Sequence, residues 1–128
     1  MMSSTLAEKR VNDFKNKYGE VALQLAYHAA LPVALNADLL HLLRINFFLD
    51  PPAALPYTAE FELLLSPLCR EIDEGLYEIE PEIRDILLKG LCSLDNGQRI
   101  KDVATLLWQY IDRDAVWLDR VELERAQQ

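Results

Sequence analysis

At 128 residues, 51% hydrophobic and with only 4 Gly, the chain is long enough to bury one core and too apolar for a disordered linker. Its formal net charge of -8 argues against non-specific binding to DNA, RNA or anionic lipid, because phosphate attraction supplies most of that affinity. The same charge suits a basic protein partner, or simply solubility. Cys69 and Cys92 lie far apart with no CxxC spacing, which fits a reducing cytoplasm rather than a disulfide framework. The opening MMSSTLAEKR has no apolar core of signal-peptide length. No apolar run approaches the roughly 20 residues of a membrane span. The chain reads as one soluble, cytoplasmic domain over residues 1–128.

In chain order, Thr5 with Glu8 forms a capping-box pattern, and Leu6, Val11, Phe14 and Tyr18 follow at helix spacing. Gly19 interrupts or kinks that helix, and a second apolar stretch from Val21 to Leu31 stops before Pro32. Asn36 is placed to cap a third helix, with Asp38 in its first turn and Leu39, Leu40, Leu42, Leu43 and Phe47 as its buried face. Asp50-Pro51-Pro52 is the clearest break. Pro56 opens a further helix, in which Phe61, Leu64 and Leu65 recur on one side and Glu60 and Glu62 are expected outside. Ser66-Pro67 ends it.

The next stretch is the most informative. Cys69 to Ile72 and Leu76 to Ile79 are short strand candidates joined by Asp73-Glu74-Gly75, with Gly75 supplying the positive φ of the turn. Tyr77 and Ile79 alternate with Glu78 and Glu80, the period of a half-buried edge strand. Pro81 suits a first helical position, Glu82 its dipole, and Ile83, Ile86 and Leu87 its core stripe. After the turn at Asp95-Asn96-Gly97, Ile100, Val103, Leu107, Tyr110 and Ile111 mark an amphipathic helix. Trp108 is assigned to the core, and either it or Trp117 counts as a contact residue if exposed. The tail from Ala115 to Gln128 reads as helical, with Trp117, Leu118 and Val121 on one face. The fold class is mainly α with a small two-stranded β-hairpin, in a winged-helix-like order.

Catalytic chemistry is hard to find. His28 and His41 lie in apolar helices and are read as polar residues at helix edges with partners in the fold. With Cys69 and Cys92 they lack the short paired spacing of a zinc site. No Gly-rich elbow precedes Cys69, so a buried structural thiol is expected rather than a nucleophile. The four glycines are too scattered for a phosphate loop, and no cofactor is expected. The acids around the hairpin lack the alternating order of a calcium loop. They are read first as a solvated face, ahead of a catalytic acid-base pair, and as a third reading as a docking patch for a basic partner.

A winged-helix DNA reader would use the Pro56 to Leu65 helix for recognition and the Asp73 to Gly75 turn as its wing. The polar positions there are Tyr57, Thr58, Glu60 and Glu62, and the wing tip is Asp-Glu. Base and phosphate recognition calls for Arg, Lys, Asn or Gln. A transcriptional regulator is therefore the second reading, and a small hydrolase joining Cys69 to His28 or His41 the third.

Four segments carry a likeness: LAYHAALPVALNADLLHLLRINFF from Leu25, AEFELLLSPLCREI from Ala59, LYEIEPEIRDILLKGL from Leu76, and RIKDVATLLWQYI ending at Ile111. Together they resemble an N-terminal module of bacterial multidomain signalling proteins that carry NACHT-type NTPase, caspase-like or formylglycine-generating-enzyme-like domains. The resemblance implies a non-catalytic helical adaptor that brings a sensor and an effector together in a signalling or conflict system. It supplies no site residues. The chain ends within a helical pattern, which suits either an excised domain or a stand-alone adaptor. The expected function is protein-protein interaction, with Asp73, Glu74, Glu78 and Trp117 as candidate partner-binding residues.

Overall fold

The structure, a computed structural model, describes residues 4–113. Trp117 and the expected tail helix lie outside the described residues. Helix α1 runs Ser4–Tyr18, α2 Glu20–Ala29, α3 Ala37–Phe47 and α4 Thr58–Leu64. The hairpin pairs β1, Cys69–Asp73, with β2, Leu76–Ile79, and α5, Pro81–Ser93, and α6, Gln98–Arg113, follow it. The chain is thus mainly helical with a small antiparallel hairpin.

Local chemistry explains most boundaries. α1 already contains Ser4, so Thr5 lies inside the helix and is not its cap. Its buried stripe is Ala7, Val11 and Phe14, with Leu6 exposed. Spacings of four and three place those residues on one face, and the small Ala7 lets a neighbouring helix approach. Gly19 separates α1 from α2 with φ at +96°, a conformation that side chains with a Cβ rarely adopt. Asn36 caps α3 as expected, its Oδ1 accepting from the Leu39 N–H at 2.7 Å. Its Nδ2 also donates to the Tyr110 hydroxyl at 3.2 Å, tying α3 to α6. Asp95, Asn96 and Gly97 have φ values of 51°, 54° and 88° in succession, a left-handed turn that reverses the chain between α5 and α6.

The hairpin is more embedded than a free edge. Leu35 forms an antiparallel bridge to Tyr77 on the side of β2 away from β1. Each residue's N–H donates to the other's carbonyl at 2.8 Å. Leu76 and Ile79 are both buried, so the expected strict alternation does not hold; a register shift between Glu71 and Asp73 accompanies it. The resulting order of α2, bridge, α3, α4 and hairpin is winged-helix-like.

One continuous core joins the elements. Leu25, Leu39, Leu43, Phe48, Leu63, Leu76, Ile83 and Leu87 are among its fully buried side chains. Each such residue contributes roughly 1.5–3 kcal/mol by leaving water. Arg84 of α5 donates through Nε to the Ala30 carbonyl at 2.7 Å and through Nη2 to the Leu31 carbonyl at 2.9 Å. It thereby satisfies acceptors left open where α2 ends.

Candidate functional site

α4 is rotated relative to its expected setting. Its buried residues are Ala59, Glu60, Leu63 and Leu64, while Phe61 and Leu65 face outward at 45% and 78% exposure. Glu60 is buried because Arg44 of α3 is buried opposite it, and neither charge could stay in the core alone. The Arg44 Nε donates to Glu60 Oε2, and its Nη1 donates to the Leu55 carbonyl at 3.1 Å. That second bond fastens the loop between α3 and α4. The His41 Nδ1–H donates to the same Glu60 Oε2 at 2.9 Å.

This pairing turns an aromatic and aliphatic stripe outward. Tyr57, 56% exposed, precedes Phe61 by four residues, and Phe61 precedes Leu65 by four, so all three share one side. The Tyr57 and Phe61 rings meet edge to face at 5.2 Å, and His41 meets Tyr57 similarly at 6.3 Å. Between α3 and α4 an open groove of about 260 Å³ is lined by Asp38, His41, Tyr57, Glu60, Phe61 and neighbouring apolar carbons. Its lining contains no Ser, Thr or Cys.

The hairpin acids are divided. Asp73 and Glu74 are exposed at the tip. Glu78 lies along β2 opposite Arg70, and the Arg70 Nη2 donates to its carboxylate. Arg70 also comes within 3.8 Å of Glu80, and the Gly75 N–H donates to Glu71 Oε2 at 3.1 Å. Part of the acidity is therefore answered inside the hairpin.

The other histidine is sealed. His28 has no exposure, rather than the helix-edge position its sequence context suggests. Its Nδ1–H donates to the Gln24 carbonyl at 2.6 Å, and its Nε2 accepts from Arg99 Nη1 at 3.1 Å. Phe47 and Phe48 flank the ring at 5.0 and 4.8 Å. Burial lowers its pKa to about 4, opposed by the Gln24 bond, so the neutral imidazole is held. Burial also pushes the Cys69 thiol up to about 12, away from the thiolate that nucleophilic chemistry needs. Among the described residues no group of three or more His, Cys, Asp and Glu side chains could hold a metal ion. No helix among them is long and apolar enough to cross a membrane.

Trp108, expected in the core, is 70% exposed. The buried positions of α6 are Val103 and Leu107, and residue 108 is turned about 100° from 107. Glu60 is the residue that sequence reasoning missed. The signal was Arg44 within an apolar run, since a buried guanidinium demands a carboxylate. No family model matches the chain, and no curated protein or solved structure matches it either.

Proposed function

We propose that this chain is a non-catalytic protein-interaction module whose docking face is the outer side of α4. The supporting observation is the stripe of Tyr57, Phe61 and Leu65 in the position a winged-helix protein would use for recognition. Aromatic anchors beside partly exposed apolar area suit a protein partner. They do not suit a phosphate backbone, and Asp38 beside the stripe is exposed. The sealed His28 and the protonated Cys69 give no support to a cysteine hydrolase. The sequence likeness adds a setting, recruitment within a bacterial signalling or defence assembly. Asp73 and Glu74 would act as a second, electrostatic contact for a basic partner.

The test is a pull-down from the native host with the wild-type chain and a Leu65→Asp variant, alongside a mobility-shift assay at low salt. The reading expects prey that the variant fails to retain, and no shift of DNA. Equal recovery by both proteins would remove the α4 face from the interaction. Clear DNA binding would favour the regulator reading instead.

A further inference from the structure

Glu60 holds its two partners among the described residues through a single carboxylate oxygen. Its side chain is only 6% exposed, and both of its hydrogen bonds, from Arg44 and from His41, converge on Oε2. No donor among the described residues bonds to Oε1. Buried acceptors are rarely left without a partner, because stripping water from them is costly. Glu60 also lines the groove between α3 and α4, together with Asp38, Tyr57 and Phe61. Arg44 already stands over the Tyr57 ring at 5.9 Å and His41 also lines the groove, so the exposed Asp38 carboxylate, Glu60 Oε1 and the Phe61 ring are what the opening offers an incoming cation. The protein's own nearest cation, Arg44, is already committed to Oε2 and to the Leu55 carbonyl.

We infer that the groove receives an Arg or Lys side chain of a partner segment, whose apolar residues lie along Phe61 and Leu65. The inference rests on the reading of α4 as the docking face and gives its partner a chemistry. The basic side chain donates to Glu60 Oε1 and Asp38 while its stem packs against Tyr57 and Phe61. An amphipathic helix with one basic residue beside an apolar face satisfies both requirements. The chain's net charge of -8 favours the approach of such a segment.

The test uses two blocked helical peptides of leucine, alanine and glutamine, one with a central arginine and one with citrulline in its place. Each is titrated into the isotopically labelled full chain and followed by amide chemical shifts, with blocked arginine alone as a third probe. The inference expects the arginine peptide to bind about tenfold tighter than the citrulline peptide. Shifts should centre on Asp38, His41 and Phe61. Asp38→Asn, at an exposed position, and Glu60→Gln should each erase most of that preference. Equal binding of the two peptides, weakened alike by Phe61→Ala, would overturn the cation site while leaving the docking face in place. Shifts centred on Asp73 and Glu74, or no binding at millimolar peptide, would overturn the cation site and count against the face as well. Blocked arginine binding as tightly as the peptide would overturn the partner-segment assignment in favour of a small cationic ligand.

Discussion

His28 and His41 each stand beside an arginine, yet the two clusters differ in how they end. Around His28, every polar atom of the ring has a partner: Gln24 on one nitrogen, Arg99 on the other. Arg99 is itself paired with Asp95 at 3.1 Å and lies over the Phe47 ring. Around His41 the network stops short. Glu60 spends one oxygen on two donors, and the His41 side chain remains 45% exposed at the rim of a groove. A closed polar cluster fastens elements together, here α2 to α6. An open one does that and also leaves chemistry facing solvent. The same pair of residue types therefore serves stability in one place and presents a surface in the other.

The largest expected effect breaks the open cluster from within. Glu60→Ala leaves Arg44 buried without its carboxylate and should cost about 3–5 kcal/mol in urea unfolding. The double variant Arg44→Met with Glu60→Leu should recover most of that loss, because removing both charges also removes their desolvation cost. If the double variant is no better than the single one, burial of the pair is not what positions α4.

The closed cluster is broken by acid. The folded-state pKa of His28, about 4, lies below the ordinary 6.5, so the unfolded chain takes up a proton first as pH falls. Its contribution is complete above about pH 6.5 and is lost progressively towards pH 4, a loss of about 2–3 kcal/mol. Unfolding free energies from urea should fall across that range by about this amount more in wild type than in His28→Gln. Parallel pH curves would show that His28 is not held neutral. Smaller still, Asn36→Ala should cost about 1 kcal/mol by removing the α3 cap and its tie to Tyr110. Smallest of all, Phe61→Ser and Leu65→Ser should leave stability within about 0.5 kcal/mol, as expected of exposed positions. A loss of several kcal/mol there would mean that the stripe supports the fold rather than a partner.

Much of the architecture was legible in the sequence because its signals are local. Gly19, Asn36, Gly75, Pro81 and the Asp95 to Gly97 turn each act on their immediate neighbours, and each boundary falls beside them. The setting of α4 was not legible, for a physical reason. Leu63, Leu64 and Leu65 are consecutive, so Glu60 with Leu63 and Leu64, or Phe61 with Leu64 and Leu65, makes an equally good helical stripe. The choice is decided by Arg44, 16 residues earlier, which supplies the buried opposite charge that makes a buried Glu60 tolerable. Trp108 failed differently. Residue type suggested the core, while its phase relative to Val103 and Leu107 places it outside. The acids of the hairpin were visible at once, but Arg70 opposite Glu78 could be recognised only from the strand register.

The most direct test of the central claim sets the α4 face against the hairpin tip in one binding measurement. A prey protein recovered with the wild-type chain is titrated against Phe61→Ser and, separately, against the Asp73→Lys, Glu74→Lys double variant. An interface anchored on α4 predicts a loss of about tenfold or more for Phe61→Ser and a smaller loss for the double reversal. Full affinity in Phe61→Ser with binding abolished by the reversal would contradict it.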